Sequence, residues 1–134
     1  MNAESMYGEM ILDYYRNPRN YGSVQNPTAT ARDFNPLCGD EVQISLKITD
    51  GKIEDVKFCG KGCAISQAAA GILTEIVKGK SVEEARTLTK DGLLATLGIP
   101  LSYARLKCGL LGLKVLKMAV YEYLGEILSR EEFE

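Results

Sequence analysis

The stretch that most constrains the fold is VQISLKITDGKIEDVKF, residues 42–58. Its first half alternates apolar and polar residues, which is the pattern of a β-strand with one buried and one solvent-facing side. Asp50 and Gly51 follow as a two-residue turn, because glycine tolerates the positive φ angle that tight hairpin turns require. In the second half, the step from Ile53 to Val56 breaks the alternation and predicts a β-bulge or a ragged strand start. The sequence therefore predicts an antiparallel β-hairpin.

Helical patterns lie on both sides of this hairpin. Pro18 disfavours helical backbone at the residue before it and so ends the first helix. Ser81 with Glu84 three residues later is a capping box for a short helix. The predicted elements are a short edge strand over 28–34, helices over 5–16, 64–78, 82–88 and 91–96, and a long C-terminal helix over 107–128. We therefore expect one α+β domain over residues 1–134, with a small antiparallel sheet of about three strands and helices packed on one face.

Composition limits the classes of function that this chain can have. Its 134 residues include four cysteines and no histidine, and the net charge is −2. This charge argues against nucleic acid or an acidic membrane as the main partner, and no stretch approaches the ~18 apolar residues of a membrane span. The N-terminal residues do not resemble a signal or transit peptide, so we expect a cytoplasmic protein with reduced thiols. Without histidine, imidazole-based catalytic triads within the chain are excluded.

Three of the cysteines fall at predicted ends of secondary-structure elements. Cys38 precedes the first hairpin strand, Cys63 lies between the second strand and the next helix, and Cys108 lies at or just inside the start of the last helix. Helix N-termini favour thiolate over thiol, and thiolates are both metal ligands and sulfur nucleophiles. Together with the carboxylate of Asp40, three converging thiolates would hold zinc or a two-iron, two-sulfide cluster.

Other interpretations of these residues remain open from the residues alone. The cysteines can be buried thiols that behave as small hydrophobic residues, and the chain would then be an interaction domain. Asp40 can be a turn residue at the start of the strand. The spacing lacks the paired cysteine knuckles of a zinc finger. If Asp40 is a ligand, its hard oxygen donor should hold a cluster less firmly than a fourth thiolate would, which suits a protein that gives its cluster away.

Four motifs carry a resemblance to a known family. They are YGEMILDYYRNPRNYG at residues 7–22, NPLCGDEV at 35–42, GKGCAISQAAA at 60–70 and RLKCGLL at 105–111. In order and spacing they resemble the U-type iron–sulfur cluster scaffolds, the group of IscU, SufU and the N-terminal domain of NifU. The resemblance extends over nearly the whole chain, and it implies an α+β fold.

The resemblance also implies an activity and its residues. In this family a cysteine desulfurase delivers persulfide sulfur, a [2Fe–2S] cluster is assembled, and the cluster passes to recipient apo-proteins or carriers. Carried over by position, cluster binding falls to Cys38, Asp40, Cys63 and Cys108. Cys108 is the expected first persulfide acceptor, with Cys63 as the other candidate and Lys107 in a supporting role. The protein would be a scaffold and carrier rather than an enzyme, and the resemblance allows a homodimer.

The sequence departs from the family pattern at Lys107, which stands directly before Cys108, and at Cys59. Many scaffolds have histidine where Lys107 stands, so we expect Lys107 to pair with Asp40 or to stabilise nearby thiolates, unless it is an ordinary solvated lysine. The SufU branch, whose members bind zinc and accept sulfur, does use lysine there, but it carries a long insertion for which the segment between Cys63 and Cys108 leaves no room. A zinc-binding sulfur acceptor is therefore the alternative. Cys59 has no family counterpart and is a fourth thiolate, a disulfide partner of Cys63 or a bystander.

Overall fold

A three-stranded antiparallel sheet, in the order β1–β2–β3, forms one layer of the molecule. The structure is a computed structural model that describes residues 3–36, 39–98 and 103–125. The strands are β1 (Ala29–Asn35), β2 (Asp40–Thr49) and β3 (Lys52–Lys61). The predicted edge strand and the predicted hairpin are both confirmed, and β2 lies between its two neighbours.

The turn between β2 and β3 has the expected backbone geometry. Asp50 and Gly51 adopt positive φ angles of 52° and 75°, as a two-residue hairpin turn requires. The pairing register shifts where Lys47 lies opposite Asp55 and the next residue of β2 lies opposite Ile53. Strand β3 therefore has one extra residue at this point, Glu54, which has no pairing partner on β2. This irregularity confirms the predicted bulge.

In the described part of the chain, five helices cover one face of the sheet or pack on the helices that do. They are α1 (Ala3–Arg16), α2 (Ala64–Val77), α3 (Val82–Arg86), α4 (Lys90–Leu97) and α5 (Tyr103–Leu124). Helix α2 packs against β3, α5 packs against β1 and β2, and α1 packs on α2. This arrangement confirms the α+β class. Within the described ranges, no helix combines the length and the apolarity that crossing a bilayer requires.

The core lies between the sheet and helices α2 and α5. The inward residues of β2 and β3 are buried, and these are Val42, Ile44, Leu46, Ile48, Ile53, Val56 and Phe58. Helix α5 contributes Leu113, Leu116 and Val120. Gly112 permits a close approach of the two helices, because a Cβ atom there would lie 3.2 Å from Cα of Ala70. The buried side of α5 ends before Leu124, which is 39% exposed.

The last helix also begins earlier than the sequence indicated. It includes Tyr103, whereas the predicted start was residue 107, so Cys108 lies inside the helix and not at its end. The residues before Lys107 include alanine, arginine and leucine, which are strong helix formers, and the helix therefore extends in the N-terminal direction. The predicted end at residue 128 lies outside the described residues.

Candidate metal centre

Three residues that are distant in the sequence meet at one end of the sheet. A carboxylate oxygen of Asp40 and the sulfur atoms of Cys63 and Cys108 all lie within 4.8 Å of one another. Asp40 is the first residue of β2, Cys63 precedes α2, and Cys108 lies in the second turn of α5. The sheet and two helices thus bring two thiols and one carboxylate together, which is a donor set suited to a thiophilic metal.

Asp40 is buried and only half satisfied. Its side chain is 0% exposed, and Oδ1 accepts a 2.8 Å hydrogen bond from the backbone N–H of Cys63. The other oxygen, Oδ2, is buried and has no hydrogen-bond partner in the described part of the chain. Buried polar oxygens are rarely left without a partner, because the lost hydration costs free energy. A bound metal ion would satisfy this oxygen, so the residues present fit such a ligand.

The glycines around Cys63 make room for this carboxylate. A Cβ atom on Gly62 would lie 2.2 Å from Oδ1 of Asp40, and one on Gly60 would lie 2.0 Å from the carbonyl oxygen of Glu41. Both glycines have positive φ angles, 138° and 155°, which other residues rarely adopt. The GKGC segment therefore lies directly against the start of β2, and the lack of side chains at its two glycines makes this close approach possible.

Cys63 has the surroundings expected of a metal-binding thiol. It is the N-cap of α2, with extended backbone angles, and its sulfur accepts a hydrogen bond from the N–H of Ser66 at 3.5 Å. The side chain is half-buried, so it can be reached from solvent. A helix N-terminus presents free N–H groups, and a metal-bound sulfur at this position can accept a hydrogen bond from one of them.

Cys108 differs from Cys63 in burial and in position. It is 0% exposed, and it lies well inside α5, so the sequence-based expectation that it sits near a helix N-terminus was wrong. The dipole effect falls off within the first turn of a helix and gives Cys108 little support. Its sulfur instead lies 4.0 Å from Nδ2 of Asn35, in a geometry in which the amide can donate a hydrogen bond.

Lys107 does not make the ion pair with Asp40 that the sequence suggested. Its side chain is exposed, while Oδ1 of Asp40 is bonded to Cys63 and Oδ2 has no partner among the described residues. The reason is geometric, because neighbouring residues on an α-helix point about 100° apart. Cys108 faces inward, and Lys107 therefore faces solvent.

The other two cysteines, Cys38 and Cys59, are not among the described residues that the structure brings together at the centre. Cys38 lies outside the described residues, so its predicted role as a ligand stays a prediction. Cys59 is a residue of β3 and pairs with Gln43 of β2. Because successive side chains of a strand point to opposite faces and Phe58 faces inward, Cys59 lies on the outer face of the sheet. It is a free, half-buried thiol and is not among the residues that meet at the centre.

Sequence reasoning missed three residues that surround the centre. Asn35, Ser66 and Gln67 are polar and buried, with 8%, 0% and 7% of their surfaces exposed. Ser66 donates its hydroxyl to the carbonyl of Cys63 and accepts a hydrogen bond from the amide of Gln67. All three lie in the segments NPLCGDEV and GKGCAISQAAA, so their proximity to cysteines in the sequence was the available signal.

Comparison with known proteins finds relatives that share this fold. The NifU-like N terminal domain family matches residues 6–129. The iron–sulfur cluster assembly scaffold protein IscU 1 of Archaeoglobus fulgidus is 36% identical over 118 residues, which cover 88% of this chain and 76% of that protein. The zinc-dependent sulfurtransferase SufU of Bacillus subtilis is 34% identical over 141 residues, which cover 92% of this chain and 95% of that protein.

A solved structure also shares the fold of this chain. A crystal structure from Fervidobacterium islandicum AW-1, described as a candidate iron–sulfur cluster assembly scaffold of the SUF system, matches with a TM-score of 0.73 and 30% identity. The match covers 89% of this chain and 99% of that one. Fold and site together define an α+β protein in which thiol and carboxylate groups lie close enough to hold a metal ion. The chain belongs to the family of NifU-like N-terminal domains, which includes the IscU and SufU proteins.

Proposed function

We propose that this protein is a scaffold on which a [2Fe–2S] cluster is assembled and from which it passes to recipient apo-proteins or carriers. The observation that carries the proposal is the meeting of Asp40, Cys63 and Cys108 with ligand atoms within 4.8 Å of one another. Cys38, two positions before Asp40 in the sequence, is the proposed third thiolate. The cluster is cargo here, and three sulfur ligands with one oxygen ligand would hold it less firmly than four thiolates.

Sulfur reaches the centre, in this proposal, as a persulfide on a cysteine desulfurase. The thiolate of Cys63 attacks the terminal sulfur of that persulfide, a sulfur–sulfur bond forms at Cys63, and the donor cysteine leaves as a thiolate. An external reductant supplies the two electrons that convert the transferred sulfur to sulfide. Because Cys63 is half-buried and Cys108 is fully buried, the exposure of the thiols favours Cys63 as the first acceptor and Cys108 as the second.

The protein acts, on this account, as a carrier and not as a turnover enzyme. The residues at the centre are metal ligands and hydrogen-bond donors, and with no histidine the chain lacks the usual general base near neutral pH. Lys107 faces solvent, where its ammonium group is available to a docking partner but not to the metal. Assembly and release of the cluster therefore depend on the ligand set and on partner proteins.

A zinc-binding sulfur acceptor is the second candidate function. Ligand atoms this close suit a single tetrahedral ion such as zinc, and the Bacillus subtilis relative is named a zinc-dependent sulfurtransferase. That alignment spans 141 positions, more than the 134 residues of this chain, so the relative contains residues that have no counterpart here. This difference favours the scaffold function.

Reconstitution of the reduced protein without oxygen distinguishes the two functions. Iron and sulfide are added to the wild type and to the Cys63→Ser and Cys59→Ser variants, and thiolate-to-iron charge-transfer absorption is recorded. The scaffold function predicts a [2Fe–2S] spectrum in the wild type and in Cys59→Ser, a weakened spectrum in Cys63→Ser, and transfer of the cluster to an apo-ferredoxin. Tight zinc binding with no coloured cluster would instead support the sulfur acceptor.

A further inference from the structure

The two sulfur atoms described at the centre obtain their hydrogen-bond donors in different ways. Cys63 is an N-cap, so a free backbone N–H of its own helix, that of Ser66, donates to its sulfur. Cys108 lies inside α5, where backbone N–H groups are already bonded to carbonyls one turn earlier. The backbone of α5 therefore offers the sulfur of Cys108 no free donor, and the side-chain amide of Asn35, on β1, lies within donating distance of it.

Asn35 is held at this position by the sheet. It is the last residue of β1, it lies directly opposite Asp40 on β2, and only 8% of its surface is exposed. Its Nδ2 atom is 4.0 Å from the sulfur of Cys108, a residue 73 positions away in the sequence. Asn35 thus links the strand that precedes the oxygen ligand to the helix that carries the buried sulfur.

We propose that Asn35 is a positioning residue of the metal centre, which donates its amide N–H to the sulfur of Cys108 and holds that sulfur toward Asp40 and Cys63. A neutral thiol is a weak acceptor, whereas a thiolate or a metal-bound sulfur is a charged one that shortens such bonds. The contact therefore strengthens when metal binds. The part of the inference that concerns the cluster rests on the proposed scaffold function.

Two consequences distinguish this role from simple packing. Removing a residue that orients a ligand typically weakens metal binding by about tenfold or more. Hydrogen bonds to sulfur ligands also stabilise the reduced, more negative state of an iron–sulfur cluster, so loss of the bond lowers the reduction potential. Packing alone would change thermal stability and would move neither quantity.

The test compares Asn35→Leu, which keeps the approximate size of the side chain but lacks the donor, with the wild type and with Gln43→Leu. Gln43 is an amide on the outer face of the same sheet, so it controls for loss of an amide away from the centre. Cobalt(II) is titrated into the reduced metal-free protein, its thiolate charge-transfer absorption is recorded, and zinc competition gives affinities. We expect Asn35→Leu to weaken binding about tenfold and Gln43→Leu to change it less than about twofold.

The second measurement is the reduction potential of the reconstituted cluster, which should be more negative in Asn35→Leu than in Gln43→Leu. Circular dichroism is used to check that each variant folds. If the leucine side chain prevents folding of Asn35→Leu, Asn35→Ala is used in its place. Unchanged cobalt affinity together with an unchanged potential would overturn the proposal, whatever happens to thermal stability. If the wild type forms no cluster, the scaffold function fails, but the cobalt titration still decides the role of Asn35.

Discussion

The backbone N–H of Cys63 donates a 2.8 Å hydrogen bond to Oδ1 of Asp40, and this bond joins the loop before α2 to the first residue of β2. It leaves Oδ2 as the buried oxygen without a hydrogen-bond partner in the described ranges. One carboxylate thus has a structural oxygen and an oxygen free to bind metal.

Asp40→Asn should affect stability and metal binding in opposite directions. Asparagine keeps an oxygen that can accept the bond from Cys63, but it replaces the free carboxylate oxygen with a neutral amide group. We expect the metal-free protein to become more stable by about 1 kcal/mol, because a neutral amide costs less free energy to bury without a partner than a carboxylate does. Zinc affinity should fall at least about tenfold. Thermal unfolding and competition titration measure the two effects, and a variant that binds zinc as tightly as the wild type would show that Asp40 is not a ligand.

Gly62→Ala should disrupt the centre from the backbone side. The added Cβ would lie 2.2 Å from Oδ1 of Asp40, at a φ angle of 138° that alanine rarely adopts. We expect a loss of about 3 kcal/mol in the free energy of unfolding, together with weakened metal binding. Gly79→Ala is the matched control, because Gly79 also has a positive φ angle but a Cβ there would meet nothing within 4 Å. The control should cost about 1 kcal/mol and leave metal binding unchanged, and equal effects in the two variants would contradict the account.

The thiols should react with iodoacetamide in the order of their exposure. Cys63 and Cys59 are half-buried, while Cys108 is fully buried, so Cys108 should react at least about tenfold more slowly in the reduced, metal-free protein. Zinc should protect Cys63 but leave Cys59 reactive, since Cys59 lies on the outer face of the sheet. Peptide mapping by mass spectrometry measures each site, and protection of Cys59 equal to that of Cys63 would place Cys59 in the centre.

Lys107→Ala should leave the metal centre intact. The side chain is exposed and makes no ion pair with Asp40, so zinc affinity should change less than about twofold. The same variant is expected to slow sulfur transfer from a desulfurase if Lys107 contributes to docking. A tenfold loss of zinc affinity in this variant would show that Lys107 faces the metal.

The parts of the fold that local sequence encodes were predicted from the sequence. The hairpin, its bulge and the turn at Asp50 and Gly51 depend on alternation and on residues next to one another in the chain. The capping box of Ser81 and Glu84 is present for the same reason. Such features need no knowledge of which distant elements pack together.

The centre itself depends on packing that no local pattern encodes. The resemblance of the cysteine motifs indicated which residues meet, but not how each one faces. Helix α5 includes four residues before Lys107, and this earlier start changed the expected surroundings of Cys108 and the direction of Lys107. Asn35 was missed because its contact with Cys108 joins a strand end to a helix interior across 73 positions of sequence.

The most direct test of the central claim is a crystal structure of the protein with its cluster, prepared and measured without oxygen. The account predicts iron bound by the sulfur atoms of Cys38, Cys63 and Cys108 and by an oxygen of Asp40. Iron bound elsewhere, or Cys63 and Cys108 too far apart to share one cluster, would contradict it.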